Sequence, residues 1–181
     1  MVEKNWAGNV VYETDGVHRP TSLGEARELI ANSERVRVLG SRHSFTRIAD
    51  SPVMLDASSL PEFLEIGADR STVRVNGSMT YGRLSELLAP LGLTTTNYAS
   101  LPHISIAGAV ATATHGSGDG NANLASAVQA VQLITGDGEV VEFASGDDGF
   151  GGAVVSLGAL GLVTSVTLLS LIHISEPTRP Y

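Results

Sequence analysis

Short runs of alternating and helical hydrophobic spacing follow one another along the chain without a fixed repeat. Asn9–Tyr12 alternates weakly and predicts a first strand. Ser22 and Glu25 have capping-box spacing, and Leu23, Ala26, Leu29 and Ile30 fall on one helical face. Arg35–Leu39 (RVRVL) alternates as a half-buried strand ending at Gly40, and Val53–Leu55 and Thr72–Val75 predict two more. Thr80 predicts the cap of a helix through Leu91, which Pro90 and Gly92 help to end. Ser105 predicts the cap of a small-residue helix through Ala113. Gln129–Thr135 and Glu139–Phe143 flank Gly136-Asp137-Gly138, the clearest hairpin signal in the chain. A helix around Gly151–Leu157 and a strand around Leu162–Leu168 complete the pattern. This alternation, with no low-complexity linker, predicts an α+β fold of two small sheet–helix lobes dividing near Asn76–Thr80.

The two ends of the chain need separate treatment. No charged residue occurs from Gly149 to Ser175, long enough to suggest a membrane span. Within Ala153–Ile172, however, 13 residues are apolar and seven are Gly, Ser or Thr, with no Trp or Tyr anchors at the edges. A short helix, a glycine turn and a buried strand are predicted instead, with no membrane contact. The N-terminal MVEKNWAGNV lacks a basic segment followed by an apolar run, which predicts no secretory leader and a cytoplasmic location. The last residues, LSLIHISEPTRPY, look foreign: Leu169–Arg179 resembles the in-frame translation of a sequencing-library adapter. The domain is therefore expected over residues 1–168, with 169–181 a non-native tail. An ordinary polar tail is the alternative.

Composition narrows the chemistry. The 181 residues carry a formal charge of -8, from 11 Lys and Arg against 19 Asp and Glu, which argues against a nucleic-acid partner. Lys4 is the single lysine, so a lysine phosphate loop or Schiff-base site is nearly excluded. There is no Cys, so disulfides, thiolate catalysis and Cys-ligated metals are impossible. The histidines show no metal-ligand spacing, and no metal site is expected.

Three segments carry candidate chemistry. Gly40-Ser41-Arg42-His43-Ser44-Phe45 follows the RVRVL strand, where a sharp turn exposes backbone N–H groups that can form an anion nest for a diphosphate. Arg42 can add charge there, and His43 supplies an imidazole fit to be base, ligand or nucleophile. A surface loop with His43 bonded to backbone is the alternative for these six residues. Ser100 to Gly118 is rich in Gly, Ala, Ser and Thr, which leaves room for a large planar or phosphorylated ligand. A helix after Ser105 would aim N–H groups at an anion; tight helix packing through small residues is the alternative. Ser156 to Val166 contains a glycine-bounded turn into a β-branched strand, suited either to contact with a flat ring or to a plain helix–strand connection.

The order and spacing of these segments resemble the FAD-binding (PCMH-type) domain of the vanillyl-alcohol-oxidase flavoprotein superfamily, and within it the alditol oxidases, including xylitol oxidase. The resemblance runs from Asn5-Trp6-Ala7-Gly8 to Leu168 and is carried by LGSRHSF (39–45), ASLPHISIAGAVATATHGSG (99–118) and FGGAVVSLGALGLVTSVTL (150–168). It implies a two-lobed FAD-binding domain, here truncated before the substrate domain. Gly40, Ser41, Arg42, His43, Ser44 and Phe45 would form the diphosphate loop, with His43 carrying the flavin covalently through its 8α-methyl carbon. Arg42 stands where many relatives have Gly. Ser100 would lie near the isoalloxazine, Ser105, Gly108, Ala111 and Thr112 would line the cofactor, and Gly161 and Val163 would touch its adenine-side half. The implied reaction is oxidation of the primary alcohol of a small polyol, with O2 as acceptor and H2O2 as product. Its catalytic base is expected in the later substrate domain, so none is assigned here. An aldonolactone oxidase or dehydrogenase of the same superfamily, or a flavin-binding fragment without turnover, are the alternatives.

Overall fold

The computed structural model describes residues 3–172. Three strands, β1 (Gly16–His18), β2 (Val36–Leu39) and β3 (Val53–Asp56), form a parallel sheet in the order β1-β3-β2. Parallel strands need a crossover, and α1 (Leu23–Ala31) provides it between β1 and β2. Ser22 Oγ accepts the Glu25 N–H at 3.2 Å, while the Glu25 carboxylate accepts the Thr21 N–H at 2.7 Å. The predicted capping box therefore closes one residue further out than the usual reciprocal bond to the cap. Consecutive residues of a strand face opposite sides. Accordingly Leu55 packs with Ala26, Ile30 and Leu162, whereas Met54 packs with Tyr12 and Leu39. The small sheet is thus covered on both faces, as a parallel sheet requires.

The larger sheet contains β4 (Leu64–Ile66), β5 (Thr72–Asn76), β6 (Leu93–Thr95), β7 (Val128–Ile134), β8 (Val140–Ala144) and β9 (Leu162–Ile172). Its order is β4-β5-β9-β7-β8, all antiparallel, with β6 paired to the last residues of β9. Helices α2 (Tyr81–Leu88), α3 (Ile106–Ala111) and α4 (Phe150–Val154) contribute Leu84, Leu88, Val110 and Val154 to a core shared with Val73, Val75, Val131 and Val166. Each fully buried aliphatic side chain there contributes about 1.5–3 kcal/mol relative to exposure.

The α+β class and the two sheets agree with the sequence, but the division between them does not fall at Asn76–Thr80. β4 and β5 already belong to the larger sheet, so the crossing lies between Asp56 and Leu64. The pairing partner of β5 is β9, far downstream, and local patterning cannot reveal it. Asn9–Tyr12 forms no strand; Val11 makes an isolated bridge with Lys4. The uncharged C-terminal stretch, over its described residues 149–172, divides into α4, a turn and β9. Among the described residues no helix is long and apolar enough to cross a membrane. β9 continues past Leu168, and Leu169–Ile172 pair with β5 and β6. The rest of the stretch expected to be foreign, residues 173–181, lies outside the described residues.

Candidate functional site

The chain leaves β2 at Leu39 and enters the 40–45 loop on the rim of a cleft between the two sheets, about 560 Å³ in volume. Arg42 adopts φ +64°, a left-handed conformation that costs a side chain with a Cβ about 1–2 kcal/mol. Two carboxylates offset that cost: Arg42 Nη1 lies 2.5 Å from Glu3 Oε2, and Nη2 lies 4.0 Å from Asp56 Oδ2. Its guanidinium therefore faces acidic side chains. The backbone N–H groups of Arg42, His43 and Ser44 donate to no acceptor among the described residues. Successive unpaired N–H groups on a sharp loop are suited to anionic oxygens, so the loop fits a diphosphate.

His43 sits inside a polar and aromatic cluster. Its Nδ1 is 3.2 Å from Ser41 Oγ, which also accepts the Ser105 N–H at 3.2 Å. Its Nε2 is 2.9 Å from Nε2 of His103. The Trp6 indole stacks on the His43 ring with centroids 4.9 Å apart and planes 24° from parallel. Burial, then the neighbouring His103, push the His43 imidazole below its ordinary value, with a hydrogen bond to the Ser41 backbone opposing them. That direction favours the neutral ring, the form in which a nitrogen lone pair is free to react.

Both neighbours of His43 are anchored. The Trp6 N–H donates to Arg42 O at 2.9 Å. Buried Asn5 donates from Nδ2 to Ser44 O at 3.1 Å and accepts the Val10 N–H at 3.0 Å, so the N-terminal segment is tied to the loop. His103 lies in a turn fixed to the start of α2, where the N–H groups of Tyr81 and Gly82 donate to Ile104 O and Pro102 O. Those N–H groups would otherwise be orphans of the helix terminus.

The cleft walls depend on glycine for close approach of one backbone to another. A Cβ at Gly40 or Gly108 would lie 2.7 or 2.8 Å from Ser105 Oγ, and one at Gly77 would lie 2.4 Å from Val163 O. At Gly161, φ is +140° and a Cβ would lie 1.9 Å from Ile134 O. These glycines let the wall segments pack on each other, the packing alternative that the sequence left open beside ligand space for the Ser100–Gly118 segment.

Twelve of the expected site residues line the cleft: Gly40, Ser41, Arg42, His43, Ser44, Phe45, Ser105, Gly108, Ala111, Thr112, Gly161 and Val163. Ser100 is exposed and does not line it. At the start of α3, where the sequence allowed either an anion site or tight packing, the first N–H groups have acceptors within the protein. The N–H groups of Ser105, Ile106 and Ala107 already donate to Ser41 Oγ, Met79 O and Gly77 O. Ser105 stands at the N-cap but makes no side-chain cap, and its hydroxyl is buried without a partner. The sequence reading missed Trp6, His103 and Gly77. Available signals were the uniqueness of Trp6 in the chain and the position of His103 inside the Ser100–Gly118 segment.

A loop with unpaired N–H groups at the rim of a cleft between two sheets, with close-packed glycine walls, suits a large anionic ligand. The chain belongs to the FAD binding domain family, whose sequence pattern matches residues 14–144. It is 46% identical over 168 residues to "Alditol oxidase" of a Streptomyces species, covering 91% of this chain and 40% of that protein. It is 40% identical over 169 residues to "L-gulono-1,4-lactone dehydrogenase" of Mycobacterium tuberculosis, covering 91% and 39%. Mouse "L-gulonolactone oxidase" is 30% identical over 186 residues, covering 98% and 42%. The chain spans about two fifths of the length of these curated relatives. FAD suits the residues described above: the unpaired loop N–H groups would meet its diphosphate, and the cleft beside them is open to a large ligand.

Proposed function

We propose that this chain carries FAD covalently at His43 and is the cofactor domain of an oxidase acting on the primary alcohol of a small polyol, with O2 as acceptor and H2O2 as product. The observation that carries the reading is the place of His43 on the cleft wall, one residue beyond the unpaired N–H of Arg42, where burial pushes its imidazole below the ordinary value. When bound, FAD supplies hydride acceptance and electron transfer to oxygen. The residues of this chain bind and orient it. The loop N–H groups would hold the diphosphate, Ser41 and His103 would fix the His43 ring, and the walls near Gly77, Gly108 and Gly161 would exclude water from one side. Similarity to an alditol oxidase over nearly the whole chain favours the polyol. The lactone dehydrogenase shares the same span, which makes a sugar lactone the second reading. The domain is assigned to residues 1–168, with 169–181 a non-native tail, although β9 reaches Ile172; the unbroken genomic reading frame beyond Leu168 checks this.

The test is to mix the chain with FAD, denature it and look for flavin that stays on the polypeptide. Retained yellow colour is expected, with its loss in His43→Ala; covalent flavin persisting in that variant overturns the attachment site. H2O2 release with xylitol against a sugar lactone, measured on the uninterrupted protein, decides the substrate class.

A further inference from the structure

We propose that buried Asn5 is a positioning residue for the cofactor's diphosphate, clamping the 40–45 loop in the shape that aims its N–H groups into the cleft. The inference concerns how a diphosphate is held and is independent of how the flavin ring is attached. Residues 3–12 lie outside the stretch matched by the family pattern, which starts at residue 14. They fold back on themselves, with Lys4 bridged to Val11 and the Tyr12 N–H donating to Glu3 O at 3.0 Å. Every hydrogen-bonding group of Asn5 is used. Its N–H donates to Val10 O and its carbonyl accepts the Gly8 N–H, both at 3.0 Å. Its Oδ1 accepts the Val10 N–H at 3.0 Å, and Nδ2 donates to Asn9 Oδ1 at 2.8 Å and to Ser44 O at 3.1 Å. The Val10 N–H can only donate and Ser44 O can only accept, so the amide has one orientation. Its bond outside the 3–12 segment goes to the loop.

The clamp acts through the trans peptide, in which the C=O of one residue and the N–H of the next point in opposite directions. Arg42 O is taken by the Trp6 N–H, and Ser44 O by Asn5. The N–H groups of His43 and Phe45 share those two peptide planes and are therefore turned away from the 3–12 segment. Neither has an acceptor among the described residues. All six loop residues line the cleft and residues 3–11 do not, so the side away from the segment is the cleft side. Two free N–H groups on one side of a short loop suit neighbouring oxygens of a diphosphate. Without the grip on Ser44 O, the second peptide plane is free to rotate and its N–H is lost to the ligand.

The probe is ADP-ribose, a diphosphate diester with no flavin ring to attach, compared with adenosine, which has no diphosphate. In calorimetric titrations of the 181-residue chain, Asn5→Ala is expected to leave adenosine binding unchanged. It should weaken ADP-ribose binding about tenfold, the scale of one hydrogen bond to a charged group. Asn5→Asp keeps the acceptor for the Val10 N–H but loses the donor to Ser44 O, and regains a donor when the new carboxyl is protonated. Its ADP-ribose affinity, relative to wild type at each pH, should recover as pH falls through the carboxylate range, a recovery missing from Asn5→Ala. In the unaltered chain, the amide NMR signals of His43 and Phe45 should move with ADP-ribose and stay in place with adenosine. Wild-type ADP-ribose affinity in Asn5→Ala, or equal losses for the two ligands, overturns the inference. Should that variant not fold, His43 and Phe45 signals that ignore ADP-ribose overturn it instead. Failure of the unaltered chain to bind ADP-ribose also overturns it, while attachment at His43 is judged separately by the flavin retained after denaturation.

Discussion

Arg42 holds a left-handed backbone while its guanidinium lies 2.5 Å from the Glu3 carboxylate, so a residue unfavourable for the turn is retained by a contact outside it. The same arrangement brings Trp6 onto His43, because Arg42 O accepts the Trp6 N–H. Arg42 is thereby a link between the N-terminal segment and the loop as well as a loop residue.

Replacing Arg42 separates these two effects. Arg42→Ala loses the Glu3 contact and keeps the unfavourable φ; Arg42→Gly loses the contact and relieves it. In urea denaturation Arg42→Gly should be more stable than Arg42→Ala by about 1 kcal/mol. Equal stabilities would mean that the loop does not hold the left-handed turn.

Gly161→Ala should be among the most damaging small substitutions in the cleft, because the added methyl would meet Ile134 O and the backbone needs φ +140°. The expected loss is about 3 kcal/mol, a fall in Tm of roughly 10 °C. Gly116→Ala, where a Cβ meets nothing within 4 Å, should stay within about 0.5 kcal/mol of the parent. Thermal denaturation of the pair checks the contrast.

Trp6, the single tryptophan, makes the site visible by fluorescence. A protonated imidazole against an indole face quenches its emission, so intensity should fall with a midpoint below about 6.5, the ordinary imidazole value. His43→Ala should remove most of the transition. A midpoint at or above the ordinary value would contradict the direction of the shift.

Stability should follow the same group. The folded-state value of His43 lies below the unfolded one, so between the two the unfolded chain binds more protons and stability rises with pH. The contribution is fully present above about 6.5 and is lost as pH falls through the folded value. Urea midpoints measured across this window should lose part of their slope in His43→Ala.

Much of this was legible in the residues where the signal is local. The RVRVL run gave β2, and Gly136-Asp137-Gly138 gave the β7–β8 hairpin, because alternation and turn chemistry act over a few positions. β1, β4 and β6 are three residues each, too short for a period to show. The loop around His43 was recognisable, but the ring's neighbours come from Trp6 and His103, distant in sequence and joined only by tertiary folding. The start of α3 stayed open between two readings for a related reason. Its N–H groups look free in sequence, and the carbonyls that take them belong to Gly77 and Met79 in the β5–α2 turn.

β9 has a consequence for how the chain is made on the ribosome. It is the central strand of the larger sheet and is synthesised after every other strand in it. Until Leu162–Ile172 emerges from the exit tunnel, β5 and β7 are exposed on the edges that β9 will fill, and contacts between regions so distant in sequence form slowly. The nascent chain therefore passes through a stage with unpaired, apolar strand edges, the state that chaperones bind and that aggregates. Slowing translation ahead of β9 should prolong that stage and lower soluble yield, while leaving the finished protein unchanged.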